Sequence, residues 1–309
     1  MCDRIVVPLT DIYRQELARP VDPRITAFAA DIAAHYDGAL GVLFYGSCLR
    51  ESRLDGLMLD FYLIVESYDR AYDKAWLARA NRLIPPNVFH AQHDRLAAKY
   101  AVLSLDDFRR QCAGKSRSVS VWARFAQPSR LVWQCGDAAA ETIAAAAAAA
   151  PAALIGAARP LLPDLLQVND LWSGAFALTY AAELRAERRT RSNIIFDAAP
   201  GWYEALTIPA LAAADIPARI DGKSIHLTAP ADRKAGERRW SRYRRDGKFI
   251  SLARLAKATA TFDGGIDYLA WKINRHAETD IKITDWQRRH PILAGIGLLP
   301  RLLASGAIK

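Results

Sequence analysis

Apolar residues recur at helical spacing over residues 24–36 (Ile25, Phe28, Ala29, Ile32), which predicts an amphipathic helix lying on a core. The pattern then changes. Ala39-Leu40-Gly41-Val42-Leu43-Phe44-Tyr45 is a short apolar run that ends in Gly46-Ser47, as a buried strand entering a turn does. Residues 57–65 form a second such run, interrupted by one charge, Asp60. Residues 69–83 read as helix, stopped by Pro85-Pro86. Lys99-Tyr100-Ala101-Val102-Leu103-Ser104 is a third strand, and Leu105-Asp106-Asp107-Phe108 opens a helix with acids in its first turn. Alternation of this kind predicts an α/β domain.

Residues 138–150 are almost pure alanine, the best helix former, and predict a connecting or edge helix with little side-chain information. The pattern stays helical to about residue 215, broken at Pro160 and Pro163. Beyond it come a basic segment (Arg238, Arg239, Arg242, Arg244, Arg245), a helix expected from Leu252 to Ile273, and an apolar tail from Pro291 to Leu303. No internal repeat is evident. The expected organisation is a first domain over 1–137, a mainly helical second domain over 138–230, and a basic C-terminal region with amphipathic helices over 231–309.

Composition adjusts this picture modestly. With 309 residues, 51% of them hydrophobic, the chain can bury a sizeable core, and its length suits more than one domain. No run is expected to reach the roughly 20 apolar residues of a membrane-spanning helix, and Met1-Cys2-Asp3-Arg4-Ile5 lacks the order of a secretory signal. A cytoplasmic location is the expectation. Cys2, Cys48, Cys112 and Cys135 are scattered, which supports neither a zinc site nor a disulfide framework. The net charge of +9 favours an anionic partner.

Two features suggest chemistry. A Gly-Ser turn after a strand lets backbone N–H groups approach phosphate oxygens. A carboxylate inside an apolar strand is costly unless paired or metal-bound, which singles out Asp60 as a Mg²⁺ ligand for a triphosphate. This order resembles the polymerase-β-type nucleotidyltransferases, which carry a Gly-Ser turn and then Asp-x-Asp on a strand. A second acid on the same face belongs two residues on, where this chain has Tyr62.

That departure narrows the resemblance. Phe44-Tyr45-Gly46-Ser47, Leu59-Asp60-Phe61-Tyr62-Leu63-Ile64-Val65 and Lys99-Tyr100-Ala101-Val102 look like the mitochondrial-type CDP-diacylglycerol synthases, the translocator assembly and maintenance family of phosphatidate cytidylyltransferases. Trp122-Ala123-Arg124-Phe125-Ala126-Gln127-Pro128, Glu183-Leu184-Arg185 and Ser192-Asn193-Ile194-Ile195 are similar to further segments of that family. Cys48 and Ala101 stand where the family has glycine.

The resemblance implies an α/β (α+β) nucleotidyltransferase core with a mixed sheet, followed by a mainly helical second domain. It also implies CTP and phosphatidate as substrates, Mg²⁺ as cofactor, and a place on the inner face of the cell membrane. Nucleic acid has no part in this leading reading. Tyr45, Gly46 and Ser47 would hold the nucleotide and Asp60 the metal. Lys99 or Arg185 would neutralise phosphate charge. The second metal ligand is left among Asp55, Glu66 and Asp94, with Asp55 preferred. The rival expectations are a nucleotidyltransferase acting on RNA or another acceptor, and an inactive lipid- or nucleic-acid-binding module. His90-x-x-His93-Asp94 reads as a polar loop. The segment from Arg238 to Lys248, with Trp240 and Tyr243, reads as an RNA surface, a lipid-headgroup surface or a solvated face.

Overall fold

The computed structural model describes residues 7–50, 54, 56–183, 191–222, 224–228, 230–261, 270, 274, 282–289, 294 and 297. The fold is α+β. A five-stranded mixed sheet is built from β1 (Ala39–Tyr45), β2 (Met58–Val65), β3 (Asn87–His93), β4 (Leu96–Ser104) and β5 (Ser129–Gln134), in the order β3-β4-β2-β1-β5. Only β2 and β4 pair parallel; the other neighbours are antiparallel. Helices α1 (Leu9–Leu17), α2 (Pro23–Ala34), α3 (Tyr68–Ala71), α4 (Ala75–Leu83), α5 (Leu105–Cys112) and α6 (Ser120–Phe125) belong to this part of the chain. Then come α7 (Asp137–Ala147), α8 (Ala150–Ala158), α9 (Val168–Ala182), α10 (Arg191–Asp197), α11 (Pro200–Ala213), the long α12 (Arg233–Thr261) and the short α13 (Asp285–Arg289). A small second sheet, in the order β6-β8-β7, joins β6 (Leu165–Gln167), β7 (Ala218–Asp221) and β8 (Ser224–Leu227).

Alternation along β2 decides what covers each face of the main sheet. Leu59, Phe61, Leu63 and Val65 point to one side, where they pack with Phe28 and Ile32 of α2 and with Tyr68 and Tyr72. Asp60, Tyr62 and Ile64 point to the other. There Tyr62 and Ile64 join a buried cluster that runs through Phe108, Trp122 and Phe125 to Trp172, Tyr203 and Trp240. Local signals start the helices where expected. The Asp22 carboxylate accepts from Arg24 N–H at 2.9 Å with Pro23 in the first turn of α2, and Ser104 Oγ accepts from Asp107 N–H at 3.3 Å at the start of α5.

Several expectations change. The helix over 69–83 is two, interrupted at Tyr72-Asp73-Lys74. The His90–Asp94 segment is no loop: His90 and His93 lie on strand β3. The alanine run is a core helix, because small side chains let α7 approach the sheet closely. Ile143 of α7 fills the space above Gly41, where a Cβ would lie 2.6 Å from its Cδ1. The helical run Asp137–Leu161 also has the length, and over an 18-residue stretch the mean hydropathy, 1.6, to cross a membrane, contrary to expectation; half of that stretch is buried inside the protein, as in a core helix. The basic segment belongs to α12, which begins at Arg233 and continues through Leu252. Most of the apolar tail lies outside the described residues.

Candidate functional site

The sheet register assembles the site. Tyr45 on β1 sits opposite Asp60 on β2, and Asp60 sits opposite Lys99 on β4. In-register neighbours project to the same face, so three positions distant in sequence form one row. Lys99 Nζ lies 3.1 Å from Asp60 Oδ1. The lysine side chain is 46% exposed and the aspartate 22%, so the pair opens to solvent on the lysine side. The approach lacks hydrogen-bond geometry: Asp60 Oδ1 is shielded from water and has no hydrogen-bond partner among the described residues.

Gly46 follows β1 with φ +95°, in the left-handed region that favours glycine. It also lies against the acid, since a Cβ there would come 3.5 Å from Asp60 Oδ2. Ser47 is exposed and starts a 3-10 turn, Ser47–Arg50, in which Leu49 N–H donates to Gly46 O at 3.3 Å. The turn and the strand acid, 13 or 14 residues apart in sequence, thus touch.

Tyr62 is a core aromatic, 2% exposed, with its ring 5.3 Å from that of Tyr45 and 5.2 Å from that of Phe125. A carboxylate at this position would be buried among rings, which explains why no second acid stands there. Glu66 lies six residues beyond Asp60, roughly 20 Å along an extended chain, and is ion-paired with Arg70. Asp94 sits in the β3–β4 turn with φ +52°. Neither is brought to Asp60 as a second metal ligand. Asp55, the remaining alternative, and Arg185 lie outside the described residues.

A cation that the strand pattern does not reveal comes from α6. The Arg124 guanidinium lies near the Tyr45 hydroxyl, donates to Ser120 O at 2.8 Å, and lies 3.8 Å from the Glu183 carboxylate. Burial works against its charge. The surrounding Tyr62, Glu183, Tyr45 and Asp60 more than offset that cost and raise its pKa above the usual range. Burial, with Asp60 next in effect, pushes the Tyr45 hydroxyl well above the usual phenol value, so it stays neutral. The resemblance marked the segment around Arg124 without assigning it a part.

Glu183, buried at the end of α9, also accepts a hydrogen bond from Ser120 Oγ. Arg254 of α12 donates to Ser120 Oγ at 3.1 Å and to Pro85 O at 2.8 Å. Lys257, one turn on, donates to Ile84 O and, at 2.9 Å, to Pro86 O. The long helix is therefore tied by the Arg254 and Lys257 side chains to the loop before β3 and to the start of α6.

Among the described residues no group of three or more His, Cys, Asp or Glu side chains is placed to hold a metal. Magnesium is commonly held by one or two carboxylates together with substrate phosphates. One shielded Asp60 oxygen beside a phosphate-accessible turn fits an ion that arrives with a nucleotide, and does not fit one held by protein ligands alone. Lys99 beside Asp60 and Arg124 beside Glu183 bring two cations to the row, where each could turn to a phosphate.

No family model matches the chain, and no curated protein does. One solved structure to which it is similar is the crystal structure of a nucleotidyltransferase-like protein from Exiguobacterium sibiricum 255-15. That likeness has 10% identity and a TM-score of 0.27, and covers 92% of this chain and 91% of that one. A likeness so slight carries no argument, for fold or for activity.

Proposed function

We propose that this protein is a Mg²⁺-dependent nucleotidyltransferase, and that it transfers CMP from CTP to phosphatidate, giving CDP-diacylglycerol and pyrophosphate. The observation that carries the first half is the contact of the Gly46 turn with Asp60, itself paired with Lys99. The choice of CTP and phosphatidate rests on the sequence resemblance at Tyr45-Gly46-Ser47, Tyr62 and Lys99-Tyr100.

Backbone N–H groups at Gly46 and Ser47 would take triphosphate oxygens. Asp60, with Asp55 as the candidate second acid, would hold Mg²⁺, whose bound chemistry is neutralisation of phosphate charge. Lys99 and Arg124, with Arg185 as a further candidate, would stabilise charge developing on the α-phosphate. A phosphatidate oxygen forms the new bond to the α-phosphorus. The α–β phosphoanhydride P–O bond breaks, and pyrophosphate leaves with its electron pair. A phosphate monoester is already largely ionised near neutral pH, so one acid suffices where a hydroxyl nucleophile would need a base.

A second reading has an observation of its own. Asp60 is engaged by Lys99 and belongs to no group of three or more potential metal ligands among the described residues, as in a site that binds nucleotide without turning it over. Purified protein with Mg²⁺ and each labelled nucleoside triphosphate, offered phosphatidate vesicles or RNA, separates the readings. Pyrophosphate release that needs both CTP and phosphatidate is the expected result. Transfer to RNA, or nucleotide binding without release, overturns the proposal.

A further inference from the structure

A second cation-lined cavity, of about 510 Å³, lies between α12 and the loop that precedes α6. Its lining includes Arg117 from the loop and Arg239, Arg242, Tyr243, Arg245 and Asp246 from the helix. Gly46, Asp60, Lys99 and Arg124 take no part in it. Arg245 is ion-paired with Asp246 at 2.9 Å. Arg117, Arg239 and Arg242 have no acidic partner among the described residues, and all three are exposed. Three guanidinium groups around one concavity repel one another, and an anion of more than one charge relieves that repulsion.

Both walls are held in place from behind. Trp240 is fully buried, donates from Nε1 to Ala157 O at 2.9 Å, and packs its ring 6.2 Å from that of Trp122. Gly236 and Gly247 let the same helix face dock closely: a Cβ would come 2.6 Å from Pro160 Cβ at the first and 2.2 Å from Ala182 O at the second. On the loop side Arg110 donates to Lys115 O at 3.3 Å, and Ser116 Oγ donates to Ser118 O at 2.5 Å. The arginines project from a fixed frame.

We infer that this cavity is a binding site for a multiply charged phosphate group, separate from the Asp60 row. Guanidinium forks match phosphate oxygens in pairs, which ammonium groups do not. The volume lies within the range of small-molecule sites, about 300–1,000 Å³, and exceeds the needs of a lone inorganic phosphate. Trp240, the large ring of this segment, is buried, which leaves Tyr243 as the one aromatic in the lining and makes a run of stacked RNA bases the less favoured ligand. The same phosphate chemistry is available from a soluble polyphosphate and from a lipid headgroup.

The test titrates the full chain, without Mg²⁺ so that the Asp60 row is not loaded, with inorganic pyrophosphate, with phosphatidylcholine vesicles with and without phosphatidate, and with a short single-stranded RNA. The double variant Arg239→Gln/Arg242→Gln should lose about tenfold or more in affinity for the responding phosphate ligand, as expected for charge-assisted hydrogen bonds. Arg117→Gln, on the opposite wall, should weaken the same binding, and Lys74→Gln, a charge loss at the exposed start of α4, should leave it intact. A pyrophosphate response assigns a soluble ligand; a response only to phosphatidate-bearing vesicles assigns a headgroup. Both support the site. Unaltered binding in the arginine variants, an equal loss in Lys74→Gln, or binding of RNA alone overturns it.

Discussion

At Gly46 two constraints meet: a φ of +95° and the Asp60 carboxylate 3.5 Å from where a Cβ would be. An alanine adopts that backbone conformation only at a cost of about 1–3 kcal/mol. Gly46→Ala should therefore lower the urea midpoint, and should weaken nucleotide binding by more than the stability loss explains. Lys257 gives a second residue-scale prediction. Burial, and then the charge of Arg254, lower its pKa from the usual 10.5 to about 7. Above pH 7 the unfolded chain binds the proton that the folded protein has released, so stability should rise as pH climbs from about 7 towards 10.5. Below that window the contribution is constant. Urea unfolding across this range should show a rise that Lys257→Met flattens; an unchanged slope in the variant would contradict the assignment.

Among elements, the long helix is where close approach matters most. Gly247→Ala improves intrinsic helix propensity by about 1 kcal/mol, yet its new methyl would meet a backbone carbonyl, Ala182 O, at 2.2 Å. The protein should lose stability overall and become more sensitive to proteolysis near α12; a gain in the urea midpoint would show that the helix docks differently. The elements legible in the sequence share a physical reason. Central strands β1, β2 and β4 are apolar on both faces or nearly so, and their runs stand out. Edge strands β3 and β5 are not: His90, Gln92 and His93 on one, and Ser129, Arg130 and Gln134 on the other, look like loop until a neighbour supplies the ladder. The basic segment concealed its inner face for a similar reason. Trp240 among five arginines suggests a surface ring, whereas the helix turns it into the core.

Over the whole molecule, the site draws on β1, β2, β4 and α6, with α12 tied to it through the polar contacts of Arg254 and Ser120. Gly46, Asp60 and Lys99 were legible because the first directly follows an apolar strand and the other two are the charges within such strands. Arg124 was not, since nothing in a helical Trp-Ala-Arg-Phe segment announces that its guanidinium meets Tyr45 and lies near Asp60. Tyr62 could be read as a missing acid in the sequence, and its burial against Tyr45 and Phe125 supplies the reason. The most direct test of the central claim is pyrophosphate release from CTP, with Mg²⁺ and phosphatidate vesicles, by the protein and by Asp60→Asn. Release should depend on Mg²⁺ and vanish in the variant while its thermal unfolding stays cooperative; release that survives in Asp60→Asn would contradict the account.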